Sequence, residues 1–200
     1  MGRPRSFEAN AVLDAAAREF RVHGFAETST EQLCAAAGVR RSSLYNTFVS
    51  KDELFVRALE HYMTTISEIQ TQLLTDVTKS GAQRLRELID LVIDEERHAG
   101  AHGHAAGCMV VQSFMSPDVR ERDSRVTTLL ERDLASRTSL LADTILAGHN
   151  DGSIARNITP TDGAILVITI ISGLRVTAQT GTDPETLHRI ALAGLGALLG

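Results

Sequence analysis

Residues 28–53, TSTEQLCAAAGVRRSSLYNTFVSKDE, constrain the fold of this chain more than any other stretch. They read as two short helices joined by a glycine turn, followed by the start of a third helix. Ser29 is placed to cap the first helix, with Gln32 three residues on, as a capping box requires. Leu33, Ala36 and Ala37 have the i, i+3, i+4 spacing of one buried face. Gly38 supplies the turn, because a residue without Cβ enters the left-handed region that ends a helix. The second helix, about Arg41 to Phe48, buries Leu44 and Phe48 at i, i+4.

The outer face of that second helix carries Arg40, Arg41, Ser42, Ser43, Tyr45, Asn46 and Thr47. These are arginines for guanine or phosphate, short polar groups for base edges and a phenol for phosphate. In a helix-turn-helix the second helix enters the major groove and its N-terminal residues meet the bases. An ordinary helical hairpin with a polar outer face would share the pattern, so the flanks decide. Upstream, Phe7 to His23 forms an amphipathic helix with Val12, Leu13, Ala16 and Phe20 on one face, ended by Gly24, with Phe25 packing back. Downstream, Ser50-Lys51-Asp52-Glu53 is a second capping box opening a long helix.

This order of helix, Gly-Phe, helix-turn-helix, Leu-Tyr-Asn-Thr-Phe and Ser-Lys-Asp-Glu-Leu resembles the N-terminal domain of the TetR/AcrR family of one-component regulators, over about Arg5 to Leu59. Thr30 stands where the family usually has an aliphatic residue, which predicts weaker packing of the first short helix. Asn46 stands where His is common. The DNA-contacting set is expected to be Arg3, Arg5, Thr28, Ser29, Arg40, Arg41, Ser42, Ser43, Tyr45, Asn46 and Lys51, with Arg3 and Arg5 in a basic arm. Ser29, Tyr45 and Lys51 are the expected phosphate anchors.

The overall charge of −5 is acidic for a DNA binder until it is split. Residues 1–57 hold eight Lys/Arg and seven Asp/Glu, and residues 58–200 hold twelve and eighteen, so the excess of acid lies in the rear. The DNA face must therefore be local. The start Met-Gly-Arg-Pro-Arg-Ser has no apolar core of a signal peptide, and Ala164 to Leu174 is too short for a span, so a cytoplasmic protein with no membrane partner is expected. Ser6 sits at the offset of a myristoylation signal, but Arg-Pro-Arg reads better as the arm. The two cysteines lie far apart, and no structural disulfide is expected.

The rest reads as helices: about 51–78, with Tyr62, Met63, Ile66, Ile69 and Leu73 inward and Gly81 as breaker; about 82–98; one opening at Gly107; one from Ser116-Pro117 to near Ala147; and two more from Thr159-Pro160 and Asp183-Pro184. The expected fold is all-α, with an N-terminal helix-turn-helix DNA-binding domain at 1–49. A helical ligand-binding and dimerisation domain follows at 50–200. The family resemblance implies a chamber within the middle helices, and Tyr62, Met63, Ile66, Ile69, Val92, Cys108, Val111, Gln112 and Met115 are its expected lining. That mostly apolar set suits an apolar or aromatic effector of drug-like size. The last two helices are apolar on more than one face, so they need cover from outside one chain. The expected cover is a second copy in a four-helix bundle built on Ile168, Ile171, Leu174, Leu187, Ala191, Leu195 and Leu198.

His98, His102 and His104 make an H-x3-H-x-H cluster, but the loop is rich in Gly and Ala and no Cys or carboxylate has fitting spacing. No metal and no other cofactor is expected. Cys34 reads as inert packing. Cys108, near the start of a helix, is open to a thiolate role, as in some electrophile sensors of the family, although Met109, Val110 and Val111 beside it oppose ionisation. No GxSxG, P-loop, HExxH or paired-acid motif occurs, so no enzyme is expected. The reading is a ligand-responsive homodimeric regulator, most simply a repressor on a palindromic double-stranded operator. A thiol sensor acting through Cys108 and a ligand-independent architectural DNA protein are the alternatives.

Overall fold

A computed structural model describes residues 5–101 and 107–199. Among the described residues the chain forms ten α-helices and no strand: α1 (Arg5–Glu27), α2 (Thr30–Ala37), α3 (Arg41–Phe48), α4 (Lys51–Leu74), α5 (Gly81–Ala101), α6 (Met109–Met115), α7 (Pro117–Arg122), α8 (Ser124–Asp151), α9 (Pro160–Ala178) and α10 (Pro184–Leu199). They divide into two compact units. Of the described residues, the first comprises 5–66 and 107–131, the second 67–101 and 132–199.

The first unit is built on α1–α3, the front of α4, α6 and α7. Its core joins Leu13, Ala16, Phe20, Leu33, Leu44, Phe48, Leu54, Phe55 and Leu59, all buried. Three rings meet at its centre: Phe55 stands edge-on to Phe20 (5.0 Å) and to Phe25 (5.1 Å). Gly24 (φ 75°, ψ 171°) kinks α1 and turns Phe25 back into this cluster.

The second unit packs α5, α9 and α10 together. Leu85, Leu88, Ile89, Val92 and Ile93 of α5 are all at most 2% exposed, as their helical spacing predicts. Arg175 of α9 is also buried and donates from Nη1 to Glu96 (2.6 Å) and from Nη2 to Glu95 of α5. α9 is long and apolar enough to cross a membrane, with a mean hydropathy of 1.4. Here its buried residues, Ala164, Val167, Ile171 and Leu174, belong to the core of the second unit.

Several expected boundaries shift. The helix expected from Ser116 to near Ala147 is two helices, broken at Asp123 (φ −145°, ψ 110°), whose carboxylate accepts from the Arg125 N–H (3.0 Å) and starts α8. Ser116 does not cap α7 through its hydroxyl, which instead donates to the Gln112 carbonyl (2.8 Å). α4 ends at Leu74, and the Asp76 carboxylate organises the following turn by accepting from Thr78. Gly81 is not the breaker but the first residue of α5, where a Cβ would lie 2.5 Å from the Gly148 backbone. Ile69 is 45% exposed while Gln70 is buried, because Met63, Gln70 and Leu74 share one face by i+7 and i+4 and Ile69 stands a third of a turn away.

Candidate nucleic-acid interface and sensing residues

The helix-turn-helix is fixed by local chemistry. Ser29 Oγ accepts from the Gln32 N–H (3.2 Å), and the Ser29 N–H donates to Gln32 Oε1 (2.7 Å), a complete reciprocal box. Gly38 (φ 64°, ψ 29°) takes the left-handed position at the end of α2, and the Val39 N–H closes the turn on the Cys34 carbonyl (3.0 Å). Leu33, Leu44 and Phe48, each at most 3% exposed, hold both short helices to the core. Ala36 was expected with them but is exposed. With α3 anchored on one side, Arg40, Arg41, Ser42, Ser43, Asn46 and Thr47 stand exposed on the other.

Not every expected contact residue is free on that face. Thr28 is 1% exposed and its hydroxyl donates to the Gly24 carbonyl (2.5 Å), so it braces the α1 kink and offers nothing to DNA. Tyr45 is half-buried, its phenol 2.9 Å from the Thr30 hydroxyl. The Thr30 departure thus gains a polar partner where packing was expected to weaken. Arg41 Nη1 donates to Glu31 (2.9 Å), and its guanidinium lies over the Tyr45 ring at 5.6 Å. Lys51 opens α4 with Nζ 4.5 Å from the centre of the Phe25 ring and 3.4 Å from the Ala26 carbonyl. Burial lowers its pKa, with Arg122 adding to the effect and Asp52 opposing it. Arg3 lies outside the described residues. Arg5 is the first residue of α1.

At α4 the Ser50 hydroxyl accepts from the Glu53 N–H (3.0 Å), but the Glu53 carboxylate pairs with Arg125 (2.8 Å). Val49, just before it, has φ 59° and ψ −45°, and Ser50 N–H donates to the Phe48 carbonyl at 2.5 Å. That is a γ-turn of the rare, strained hand, centred on a β-branched residue between the polar helix α3 and α4.

The expected sensing residues separate. In the first unit, Tyr62 donates its phenol to Cys108 Sγ (3.8 Å), and Met63 and Cys108 are buried with Val111 packed beside them. Ile66 is half-buried. Cys108 is the N-cap of α6 and is 5% exposed. Gln112 is engaged within the fold, its amide donating to the Arg21 carbonyl (2.8 Å). Arg21 in turn donates from Nε to the Gly107 carbonyl (2.8 Å) and lies 5.2 Å over the Tyr62 ring. Met115 is 76% exposed, so it is a surface residue and not lining. In the second unit Val92 is fully buried core and Ile69 is exposed. Arg21 and Glu31, and the contact of Thr30 with Tyr45, were missed by sequence reasoning. The i-to-distant pairing that engages them leaves no periodic signal.

The expected dimer residues need the largest correction. Ile171, Leu174, Leu187, Ala191, Leu195 and Leu198 are all at most 7% exposed inside one chain, and Ile168 is half-buried against the same core. They are the second unit's own interior. The outward apolar residues are Ile165 (51%), Val176 (55%) and Ile190 (54%). Of these, Ile190 lines a groove of about 270 Å³ between α9 and α10, together with Thr169, Ile170, Gly173, Thr177 and Gly194 among others.

His102 and His104 lie outside the described residues, and the His98 Nδ1 is 2.6 Å from the Asp94 carbonyl oxygen. Among the described residues no group of three potential metal ligands occurs.

Comparison with known proteins gives a consistent picture. Residues 12–58 match the family model described as bacterial regulatory proteins, tetR family. The chain is 30% identical over 194 residues to the HTH-type transcriptional repressor BdcR of Escherichia coli K12, covering 96% of this chain and 90% of that protein. It is 26% identical to the HTH-type transcriptional repressor ComR of the same organism, covering 95% and 88%. Among solved structures, a cysteine-substituted form of the TetR family regulator CifR in complex with 26-base-pair double-strand operator DNA matches with a TM-score of 0.79 and 26% identity, covering 98% of this chain and 99% of that one.

Proposed function

Since the chain belongs to the TetR family of bacterial regulatory proteins, we propose that it is a homodimeric transcriptional repressor that binds duplex operator DNA through α2 and α3 and releases it when a small molecule binds. The observation that carries this reading is the exposed strip from Arg40 to Thr47 on α3, which follows the capped α2 and the Gly38 turn and is anchored by Leu44 and Phe48. The major groove accepts such a helix, and the strip supplies arginine, hydroxyl and amide groups for base edges. Selection of binding sequences from a pool of randomised duplexes tests it directly. An enriched palindrome supports the reading, and recovery of the pool unchanged refutes it.

A second copy is proposed to cover α9 and α10 through Ile165, Val176 and Ile190. Gly173 and Gly196 support this: a Cβ at either would meet nothing within 4 Å, so the chain's own packing does not require glycine there. A glycine inside a helix costs about 1 kcal/mol against alanine, and close approach of a partner helix accounts for it.

Sensing is proposed to centre on Tyr62, Met63, Ile66, Cys108 and Val111, where a mostly apolar wall carries one phenol to orient a ligand. Arg21 then supplies the route to the DNA-reading end. It ties the start of α6 to α1 through Gly107 and Gln112 and rests on Tyr62 of α4. A ligand acts only through its differential affinity for the arrangements that do and do not fit the operator. The burial of Cys108 weighs against the thiol as the signal. Loss of the response in Cys108→Ser, with retention of DNA binding, would reverse that preference.

A further inference from the structure

The start of α2 holds two side chains that reach across to the outer face of α3. Thr30 meets the Tyr45 phenol at 2.9 Å, and Glu31 accepts from Arg41 Nη1 at 2.9 Å. The Arg41 guanidinium also lies over the Tyr45 ring, 5.6 Å from its centre. The four residues form one chain of contacts, Thr30 to Tyr45 to Arg41 to Glu31, that begins and ends on adjacent residues of α2. Arg41 therefore has two partners on the protein, the Glu31 carboxylate at Nη1 and the Tyr45 ring.

A guanidinium has five N–H donors in a rigid fork, and bidentate reading of guanine O6 and N7 uses two of them. One donor given to Glu31 leaves enough for that task and limits the orientations in which it can be done. Glu31 is 72% exposed at its side chain, so it stands in the solvent on the same side as the reading strip. A carboxylate there repels phosphate oxygens and discourages Arg41 from swinging to the backbone, where a contact carries no sequence information.

From this we infer that Glu31 is a specificity-positioning residue. It holds Arg41 in the base-reading orientation, so that removing its charge relaxes base preference without removing the arginine. The inference rests on the DNA-binding reading above. It assigns no direct base contact to Glu31.

The test compares wild type, Glu31→Gln, Arg41→Ala and the double variant by sequencing duplexes selected from one randomised pool. Arg41→Ala flattens the preference at particular base pairs. Glu31→Gln is expected to flatten the same base pairs by about 1.4- to fivefold, the range an exposed ion pair of this kind spans. It should also steepen the salt dependence of binding to random DNA by up to about 0.9, as Arg41 takes a phosphate. The double variant should match Arg41→Ala alone. A wild-type profile for Glu31→Gln overturns the inference. So does a change at base pairs that Arg41→Ala leaves alone, which would make Glu31 itself a base reader, or effects of the two substitutions that simply add. A wild-type protein that selects no sequence overturns the DNA-binding reading itself, a result distinct from all of these.

Discussion

The partition of α9 and α10 into an inner and an outer apolar face predicts opposite outcomes for neighbouring residues. Leu195 is fully buried in the second unit, and Leu195→Ala should cost about 2–5 kcal/mol through lost transfer energy and the cavity left behind. Against a total stability of about 5–15 kcal/mol that is a large loss of folding, with no specific effect on assembly. Ile190 is 54% exposed in one chain. Burying a whole isoleucine side chain yields about 1.5–3 kcal/mol, so covering the exposed half of Ile190 is worth roughly 0.8–1.6 kcal/mol per protomer and twice that in a two-fold dimer. At 1.4 kcal/mol per tenfold, truncation there should weaken association by about ten- to two-hundredfold, and Ile190→Glu by more, because a charge would be buried unpaired. Chemical denaturation reads the first effect, and sedimentation over a dilution series reads the second. Ile190→Glu should be folded and monomeric. Leu195→Ala should be destabilised and, where folded, still dimeric. A folded monomer from Leu195→Ala, or an undisturbed dimer from Ile190→Glu, would refute the assignment of faces.

Val49 should prove strained: with φ 59° and 80% exposure, Val49→Gly removes a backbone penalty and little packing, and a net gain of about 1 kcal/mol is expected in denaturation, whereas Val49→Ala, which keeps Cβ, should not gain. Burial raises the pKa of Asp133, with Arg137 opposing. An acid raised in the fold is a growing liability as pH rises from its ordinary value through the folded one, so Asp133→Asn should be more stable than wild type at neutral pH, the advantage vanishing below about pH 4; equal pH profiles would contradict this. Lys51→Ala should weaken binding to all duplexes alike and lower the salt slope by about 0.9, one phosphate contact, and an unchanged slope would leave the lysine to its Phe25 and Ala26 contacts alone. Val111→Trp should abolish the response to an effector found by thermal-shift screening while sparing DNA affinity; a retained response places sensing elsewhere.

What the sequence revealed follows from the range of the interactions involved. The α2 cap, the Gly38 turn, the buried pair Leu44 and Phe48 and the starts of α9 and α10 all depend on residues within four positions of one another, and periodicity and capping chemistry report them. The break at Asp123 is also local, but an Asp inside a run of helix formers looks like a surface residue until its carboxylate is seen on the Arg125 N–H. Thr28 is misplaced because a hydroxyl before a cap suits a phosphate as well as a carbonyl, and here it donates to the Gly24 carbonyl four residues back (2.5 Å). Glu31 and Arg41 are ten residues apart on different helices, and no spacing rule joins them.

The misassigned dimer face has a more specific cause. A helix such as α9 is apolar at Ala164, Val167, Ile171 and Leu174 and again at Ile165, Ile168 and Val176, and its sequence does not order the two stripes. Arg175 does. It is 3% exposed and must keep both Glu95 and Glu96 of α5, because a buried guanidinium left without a carboxylate is strongly unfavourable. Such a buried pairing adds little net stability compared with well-packed apolar residues, and its best-attested use is to fix register. Here it fixes the rotation of α9 about its own axis. With Arg175 turned to α5, Leu174 and Ile171 must face the core, and Ile165 and Val176 are left outward. The surface proposed for a second copy is thus set by a charge contact made inside the chain.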